Sequence, residues 1–377
     1  MSNERLIPAR ALLVGVSLAI AACSASSSPD ADVGATDASI DTTASAVAAS
    51  GPDAGAKPTD AAEEAPKGPV VTGSCSDTPP PGFVYPKMPA YAGTCPTLAQ
   101  APAENTITSS GNARQFLFVS PPDMKPDENL PLVFAWHWLK GTGQEFIDQA
   151  DLVKAVGQQR FIVVAPESKG DILWDWPFAI TDTAARMAEE VQFFQDILAC
   201  VTREVPHVNT GCISSVGMSS GALFTSQLGP SQSDVIASMI VLSGGVGGGF
   251  VQNMPTPARA LPAIVLWGGP SDQCAIIDFN VTSPNLEDAL DTAGGYFVEC
   301  EHNCGHAQPP FNTPPGLTEY AALWDFVEAH PMWTTPGESP YKTHGLPSTF
   351  PAWCSAKGRG TAVERTGICG APACTGL

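Results

Sequence analysis

The amino-acid sequence predicts an α/β domain in which a mostly parallel central sheet carries helices on both faces. Short, uninterrupted apolar runs alternate along the chain with segments of helical periodicity. Such runs are typical of parallel strands that are buried on both faces, and the alternation is typical of a sheet covered by helices. The chain has 377 residues, of which 44% are hydrophobic, so it can bury a substantial core.

Seven strands are predicted from about residue 112 onward. The string LVFAWH at 132–137 follows Pro131 and precedes a glycine-containing loop, as expected of a buried strand. The strings FIVVA and PAIVLW have the same uninterrupted apolar character. The predicted strands are 114–119, 132–137, 161–165, 212–216, 236–242, 262–267 and 296–300.

Four helices are predicted among these strands. In the longest, apolar residues recur three and four positions apart and so form one helical face. These residues are Met187, Val191, Phe194, Leu198 and Val201. The predicted helices are 146–156, 187–201, a helix from about residue 220, and 317–329.

One domain is expected over residues 71–377, with its regular core at about 112–330. No internal repeat is visible in the sequence. The segments 71–111 and 331–377 lack a regular pattern and contain cysteines. We therefore expect them to be disulfide-bearing loop extensions of the core.

Residues 1–22 have the features of an export signal. Arg5 and Arg10 precede an apolar run at residues 11–22, which is too short to span a membrane. The run ends in the letters IAAC, which resemble the lipobox of bacterial lipoproteins. That resemblance implies cleavage before Cys23, which would carry the lipid anchor of an envelope protein. The alternative is an ordinary signal peptide followed by a chance cysteine.

Residues 23–70 are expected to form a disordered acidic tether. They are rich in Ala, Ser, Asp, Thr and Pro and lack aromatic residues and apolar periodicity. The whole chain has 18 basic and 38 acidic residues, a formal net charge of −20. Because nucleic acid and anionic lipid would repel such a protein, we expect neither as a partner, and membrane contact only through Cys23.

Ten cysteines follow Cys23, and an even number in an exported chain predicts up to five disulfides. Sequence alone does not give the pairing, but the neighbours Cys200 with Cys212 and Cys369 with Cys374 are plausible pairs. A second possibility concerns the string CEHNCGH at 300–306, whose two thiols and two imidazoles could hold zinc. We expect no metal, because disulfides consume thiols in an oxidising compartment and the spacing matches no familiar zinc module.

The pentapeptide GMSSG at 217–221 has the G-x-S-x-G pattern of a nucleophile elbow. It follows a predicted strand and precedes a predicted helix, which is the setting that such an elbow requires. Glycines are needed on either side because a Cβ there would collide with the neighbouring strand or helix. Ser219 is therefore the predicted nucleophile, and the backbone N–H of Ser220 is a predicted oxyanion donor.

An acid and a base follow in the order that this architecture uses, Ser then Asp then His. Asp272 lies in the loop after the strand 262–267, and His306 lies in the loop after the strand 296–300. Asp278 is a weaker candidate for the acid, and His302 is expected to be structural. The remaining predicted surface or packing histidines are His207, His330 and His344.

The second oxyanion donor should come from the loop after an early strand, which is HWLKG at 137–141. Either Trp138 or Leu139 could supply the N–H. Trp138 also narrows the expected pocket. Trp174 and Trp176, with Phe178, form an aromatic loop on the same sheet edge, and these rings could bind substrate by stacking. The alternative is that they pack this loop onto the domain.

A family resemblance rests on strings that follow one another in a fixed order: PLVFAWHWLKG, WDW, QFFQDIL, GMSSG, WGGPSD, ECEHNCGH and LWDFV. They resemble the polyhydroxybutyrate depolymerase and feruloyl esterase group of α/β-hydrolases over about residues 112–330. The resemblance implies an α/β-hydrolase fold and an exported esterase with Ser219, Asp272 and His306 as nucleophile, acid and base. The family usually has His-Gly after the early strand, whereas this chain has His137-Trp138.

The expected reaction is two-step acyl transfer through an acyl-enzyme, which requires no cofactor. Short-chain polyester of the polyhydroxybutyrate type is the leading expected substrate. Feruloyl or acetyl esters of plant cell-wall xylan are the alternative. A hydrolase-derived surface binding protein without activity is a third possibility, of a different class.

Overall fold

A nine-stranded mixed sheet forms the centre of the structure, a computed structural model that describes residues 70–370 and residue 374. The predicted signal peptide, Cys23 and nearly all of the predicted tether lie outside the described residues. The described residues contain eleven strands, of which all but β8 and β9 belong to this sheet. They are β1 (Asn105–Ser109), β2 (Asn112–Val119), β3 (Leu130–Trp136), β4 (Ile162–Pro166), β5 (Val208–Met218), β6 (Ser238–Leu242), β7 (Ala263–Trp267), β8 (Gln273–Cys274), β9 (Ile277–Asp278), β10 (Phe297–Glu301) and β11 (Cys354–Ser355).

The sheet has the order β1-β2-β4-β3-β5-β6-β7-β10-β11. The five neighbouring pairs from β4 to β10 are parallel. The antiparallel pairs lie at the two sides of the sheet. Strands β8 and β9 form a separate two-stranded hairpin. The carboxyl ends of the parallel strands therefore meet at one edge of the sheet, where ligands bind in open α/β sheets.

Helices cover both faces of the sheet, which confirms the predicted fold class. Successive residues of β3 alternate between the two cores: Phe134 packs with residues of α3 and α4, and Val133 packs with residues of α1, α2 and α6. The helices are α1 (Gly143–Gln149), α2 (Leu152–Gln159), α3 (Ala184–Glu204), α4 (Ser220–Ser231), α5 (Phe279–Thr292), α6 (Ala321–Glu328) and α7 (Pro340–His344). Among the described residues, no helix is both long enough and apolar enough to cross a membrane.

The seven predicted strands are present, with bounds that differ by a few residues. The predicted helix 146–156 is wrong in one respect, because it is two helices, α1 and α2. Asp151 between them has a left-handed φ of 47°, which interrupts the helical path. The structure adds α5, which the sequence pattern did not predict and which contains Pro284. It also adds β1, which continues the sheet beyond β2.

Five disulfides connect segments that are far apart in the chain, and neither plausible neighbour pair forms. Cys200 and Cys212 lie on different elements, α3 and β5, and each bonds to a cysteine of the N-terminal extension. Cys369 and Cys374 bond to two separate loops of the core. The pairs are Cys75–Cys212, Cys95–Cys200, Cys274–Cys374, Cys300–Cys354 and Cys304–Cys369.

The C-terminal extension is attached to β10 by hydrogen bonds as well as by disulfides. Strand β11 pairs with β10 in antiparallel fashion. The buried Glu299 carboxylate on β10 accepts N–H groups from Gly360, Thr361 and Ala362 at 2.6, 2.7 and 2.6 Å. These contacts hold the segment after β11 against the end of the sheet where Cys300 and Cys304 lie.

The carboxyl group of Glu287, on α5, is fully buried and has no hydrogen-bond partner among the described residues. Burial, together with the nearby Glu299, raises the pKa of this group from 4.5 to about 9. Between these two pH values the folded protein therefore keeps the proton on Glu287, whereas the unfolded chain, in which the pKa of this group is 4.5, has released it. As pH rises from about 4.5 to about 9, this group makes the folded state progressively less stable.

We predict that Glu287→Gln removes this pH dependence, because the amide has the shape of the protonated acid and does not titrate. The variant and the parent should unfold at similar temperatures at pH 5. At pH 8.5 the variant should unfold at a clearly higher temperature than the parent, because only the parent loses stability as Glu287 is forced to ionise. Thermal denaturation followed by circular dichroism at both pH values measures the difference, with Asp291→Asn at an exposed position of α5 as the control. If the unfolding temperatures of the parent and of Glu287→Gln changed with pH in the same way across this range, the raised pKa of Glu287 would be contradicted.

Candidate active site

The turn between β5 and α4 holds Ser219 in a conformation that side chains rarely adopt, with φ of 54° and ψ of −119°. Two glycines make the turn possible. A Cβ on Gly217 would lie 2.1 Å from the carbonyl oxygen of Gly221, and a Cβ on Gly221 would lie 2.1 Å from that of Trp136. Both distances are well below van der Waals contact, so only glycine fits. The strained residue is the one that sequence analysis predicted as nucleophile, and such strain is concentrated at functional sites.

Ser219, His306 and Asp272 form one hydrogen-bonded chain. The Ser219 hydroxyl lies 2.9 Å from His306 Nε2, and His306 Nδ1 lies 2.7 Å from Asp272 Oδ1. With Nδ1 protonated, the ring donates to Asp272 and its Nε2 is free to accept the serine proton. Ser219 follows β5, Asp272 lies in the loop after β7, and His306 lies in the loop after β10, so three parallel strand ends assemble the group.

The Asp272 carboxylate is completely buried and is held at both oxygens. Its Oδ2 accepts the hydroxyl of Ser243 at 2.7 Å and the N–H of Gly268 at 2.7 Å, while Oδ1 faces His306. These hydrogen bonds replace the water contacts that the carboxylate loses on burial, and they fix its orientation toward His306. Ser243 follows β6 and has a φ of 50°. Sequence analysis did not find Ser243, whose only signal is its position after a strand.

The loop that carries His306 is fixed against the loop that carries Asp272. The N–H of Gly305 donates to the carbonyl of Gly268 at 2.8 Å, and a Cβ on Gly268 would lie 1.9 Å from the Gly305 oxygen. The ring of Phe279, in the first turn of α5, stacks on the His306 ring at 4.5 Å between centroids and 13° between planes. Phe279 therefore covers one face of the imidazole, and sequence analysis also missed it.

The alternative candidates lie outside this chain of hydrogen bonds. Asp278 caps α5 by accepting the N–H of Asn280 at 3.0 Å. His302 is fully buried, and burial lowers its pKa to about 4, so it is a neutral packing residue. His330 is also fully buried, with its Nδ1 bonded to the Phe326 carbonyl. His344 is exposed and contacts the Pro340 carbonyl.

The string CEHNCGH does not offer thiolates to a metal. Cys300 and Cys304 are both in disulfides, and His306 is bonded to Ser219 and Asp272. Within the described part of the chain, no group of three or more His, Cys, Asp or Glu side chains is arranged to hold a metal ion. The chemistry that this arrangement of residues can perform is nucleophilic attack by an activated serine.

The predicted oxyanion donors are N–H groups that lack an acceptor among the described residues. Ser220 is the first residue of α4, and its N–H has no acceptor among the described residues. The N–H groups of Trp138 and Leu139 are likewise without a described acceptor. The tight contact of Gly221 with the Trp136 and His137 carbonyls places the start of α4 against this loop. The geometry therefore keeps both predicted alternatives for the second oxyanion donor, Trp138 and Leu139.

The predicted substrate-binding role of Trp176 disagrees with its position, because the ring is fully buried and offers no surface to a ligand. It stacks on Phe224 and meets Trp136 edge-on, so it belongs to the core beneath the site. Trp174 is 9% exposed and packs against Phe178 and Phe250. The packing alternative therefore describes both tryptophans, while Trp138 remains partly exposed.

Two disulfides attach the catalytic loops to the C-terminal extension. Cys304, two residues before His306, bonds to Cys369, and Cys274, two residues after Asp272, bonds to Cys374. The Arg365 guanidinium also lies 3.4 Å from the sulfur of Cys304, and the N–H of Arg365 donates to the carbonyl of Glu301 at 3.2 Å. The loop that carries His306 is therefore held from outside the core.

We predict that opening the Cys304–Cys369 disulfide impairs catalysis more than its effect on stability alone would. In Cys304→Ser/Cys369→Ser, the looser histidine loop should lower kcat for p-nitrophenyl butyrate by about tenfold or more, since small displacements of a catalytic group have large effects. The matched control is Cys95→Ser/Cys200→Ser, which opens a disulfide between the N-terminal extension and α3. Rates are compared well below both unfolding temperatures, and equal kcat values in the two variants would contradict the prediction.

Comparison with solved structures shows the α/β-hydrolase fold. A variant of pOPH in complex with DMSO aligns with a TM-score of 0.54 and 14% identity, covering 68% of this chain and 93% of that chain. Native sOPH aligns with a TM-score of 0.53 and 17% identity, covering 65% of this chain and 92% of that chain. No protein-family model and no curated protein matches this sequence. At such identities the similarity concerns the fold alone, and the chain accordingly has the α/β-hydrolase fold with disulfide-bearing loop extensions.

Proposed function

We propose that this protein is a serine hydrolase of carboxylic esters. The observation that carries the proposal is the hydrogen-bonded chain from Ser219 through His306 to Asp272, which begins at a strained turn. The unpaired N–H of Ser220 lies directly after the nucleophile, where an oxyanion would form. A buried, supported aspartate and an unpaired N–H beside the serine are what acyl transfer needs.

In the first step, His306 Nε2 takes the proton from the Ser219 hydroxyl as the oxygen attacks the ester carbonyl. The imidazolium that forms is stabilised by Asp272, whose charge is held by Ser243 and Gly268. The carbonyl oxygen becomes negative and is bound by the N–H of Ser220 and by one of the two N–H groups after His137. His306 then gives its proton to the leaving alcohol, and the acyl group remains on Ser219.

In the second step, water enters and His306 takes one of its protons. The resulting hydroxide attacks the acyl-enzyme carbonyl, and the tetrahedral intermediate is stabilised by the same N–H groups. His306 returns the proton to the Ser219 oxygen, and the carboxylic acid leaves. No cofactor takes part in either step.

The substrate we propose is a short-chain polyester of the polyhydroxybutyrate type. An apolar cluster that includes Phe279, Ile277 and Trp174 lies beside the catalytic histidine. Residues adjacent to its members expose aliphatic side chains that could contact an apolar polymer chain. These side chains are Leu173, Ile180, Ile276 and Val281, exposed at 72%, 62%, 66% and 42%.

Esters of aromatic acids on cell-wall material are the second candidate. The burial of Trp174 and Trp176 removes two rings that could have stacked on a phenolic acid or lain along a polyester chain. The exposed side chains near the apolar cluster are aliphatic, and this observation favours the polyester. The third candidate, a binding protein without activity, would use the same exposed aliphatic side chains but gives no reason for the hydrogen-bonded chain at Ser219.

We further propose that the protein is exported and anchored through a lipid on Cys23, which would place it in the cell envelope. The five disulfides support an oxidising compartment. Cys23 itself lies outside the described residues, so the anchor rests on the sequence IAAC alone. The acidic segment after it would then separate the enzyme from the membrane surface.

We predict that the full-length protein releases acid from amorphous polyhydroxybutyrate faster than from methyl ferulate or acetylated xylan. The three substrates are compared by pH-stat titration under the same conditions. In Ser219→Ala the rate should fall by about 10⁴-fold or more, because the serine provides the only route to the acyl-enzyme.

Faster release from methyl ferulate or acetylated xylan would replace the polyester by the second candidate. Absence of release from all three, and from p-nitrophenyl butyrate, in correctly folded protein would contradict the esterase proposal. The binding-protein candidate would then remain.

A further inference from the structure

The loop after β3, residues 137–141, is held in one conformation by hydrogen bonds at both of its ends; we refer to it as the oxyanion loop. Within it, the carbonyl of Trp138 accepts two hydrogen bonds. One comes from the N–H of Gly141 at 2.9 Å, and the other from the Nδ1–H of the His137 ring at 2.8 Å. These bonds turn the loop back on itself. They leave the N–H groups of Trp138 and Leu139 free to bind an oxyanion.

Asp175 holds the far end of the oxyanion loop. Its Oδ2 accepts the N–H of Lys140 at 2.5 Å, and its Oδ1 accepts the hydroxyl of Ser168 at 3.3 Å. Lys140 has a φ of 59°, so its backbone is in a conformation that a side-chain-bearing residue adopts only when its surroundings enforce it. The hydrogen bond from its N–H to the Asp175 carboxylate helps to hold Lys140 in this conformation.

Trp176 holds the near end. Its indole Nε1–H donates to the carbonyl of His137 at 2.9 Å, and its buried ring packs between Trp136 and Phe224. The His137 ring adds a third contact, because its Nε2 accepts the N–H of Ser168 at 3.3 Å. Burial lowers the pKa of His137, which keeps the ring neutral and able to accept this bond.

Asp175 and Trp176 are adjacent, and a tight turn aims both at the oxyanion loop. The N–H of Trp176 donates to the carbonyl of Trp174 at 2.8 Å, which closes a three-residue turn around Asp175, whose φ is 65°. This conformation is strained for a residue with a side chain. The turn directs a carboxylate to Lys140 and an indole N–H to His137, and neither group contacts the Ser219–His306–Asp272 chain among the described residues.

The segment that carries this turn is itself fixed to the scaffold. Asp171 accepts from Arg186 on α3 at 3.1 Å, and Glu167 accepts the N–H of Gly143 on α1 at 2.9 Å. Asp182 accepts the N–H groups of Phe178 and Ala179 at 2.9 and 2.8 Å. The turn is thus a rigid support, and it can transmit the position of the scaffold to the oxyanion loop.

We propose that Asp175 and Trp176 are positioning residues that hold the oxyanion loop so that its free N–H groups point at the oxygen of the tetrahedral intermediate. This inference rests on the proposed ester hydrolysis. It assigns the WDW string a role in transition-state stabilisation through the loop backbone, in place of contact with substrate. It also explains how a tryptophan can occupy position 138. Asp175 and Trp176, which together we call the clamp, hold the backbone of the oxyanion loop by hydrogen bonds from outside the loop, so no glycine is needed at that position.

The test compares Asp175→Gly with Asp175→Asn in the full-length protein. Glycine accepts the left-handed φ and removes the carboxylate, whereas asparagine keeps an oxygen for the Lys140 N–H and also tolerates this φ. For p-nitrophenyl butyrate, kcat should fall by about 10–100-fold in Asp175→Gly with KM changed by less than about threefold, and Asp175→Asn should recover most of the loss. Trp176→Phe, which keeps a ring and removes the N–H, should lower kcat by about 2–10-fold.

A boronic acid provides the readout that a general loss of structure would not give. Its tetrahedral adduct with Ser219 places an oxygen where the oxyanion forms, so the inhibition constant of butylboronic acid should rise in Asp175→Gly by the same factor by which kcat falls. The matched control is Asp77→Ala, which removes another backbone-binding carboxylate, one that accepts the N–H of Ser74 in the N-terminal extension and lies outside the segment that supports the oxyanion loop. In this control, kcat and the boronate constant should stay within about twofold of the parent.

Amide hydrogen exchange of the Lys140 N–H tests the clamp independently of activity. Exchange should accelerate at least about tenfold in Asp175→Gly and stay unchanged in Asp77→Ala, since the hydrogen bond to Asp175 is lost only in the former. An inactive parent protein would contradict the proposed function, and the exchange data would still decide whether the clamp exists. Unchanged exchange, or unchanged kcat and boronate affinity in Asp175→Gly of an active parent, would overturn the positioning role.

Discussion

The close approach between the first turn of α4 and the carboxyl end of β3 is the constraint on which the site depends. A Cβ on Gly221 would lie 2.1 Å from the Trp136 oxygen, and a Cβ on Gly217 would lie 2.1 Å from the Gly221 oxygen. The backbone can pass through so little space only by taking Ser219 to a positive φ, which lifts its hydroxyl out of the turn. The same approach sets the N–H of Ser220 beside the loop after His137. One steric condition therefore fixes the proposed nucleophile, Ser219, and the proposed oxyanion donors together.

The rest of the structure holds other groups against this fixed point. Parallel strands β7 and β10 bring Asp272 and His306 to the same sheet edge as Ser219. Ser243 and Gly268 bond the aspartate, and Phe279 covers the histidine ring. Disulfides at Cys274 and Cys304 attach both catalytic loops to the C-terminal extension. Each contact restricts a group that would otherwise move, and preorganisation of this kind is a main source of catalytic rate.

The sequence was informative where the pattern is local and uninformative where it depends on distant partners. Apolar runs identified the parallel strands, and the order of Ser219, Asp272 and His306 after successive strands located the residues that the structure brings together. Disulfide pairing was not predictable, because Cys200 and Cys212 are close in sequence but bond to cysteines about a hundred residues away. The helix α5 was missed, since Pro284 and scattered polar residues hide its apolar face.

The aromatic loop shows why residue type alone did not give the role of a side chain. Trp176 lies after a strand at the correct sheet edge, and the same sequence pattern fits a ring exposed to substrate or a ring buried beneath the site. Only the surrounding residues decide, and they place Trp136 and Phe224 against its ring and the His137 carbonyl against its N–H. Likewise, the carboxylate of Asp175 has no local signal that would link it to Lys140, 35 residues earlier.

The most direct test of the proposed serine mechanism is to trap the acyl-enzyme and locate it. Mixing the protein with p-nitrophenyl butyrate and quenching in acid within milliseconds should give a mass increase of one butyryl group, and peptide mapping should place this group on Ser219. The adduct should be absent in Ser219→Ala. In a variant in which His306 is replaced, a more reactive ester should still acylate Ser219, and the adduct should accumulate because the base that activates water is missing. Rapid hydrolysis without any adduct on Ser219, or an adduct on another residue, would contradict the proposed mechanism.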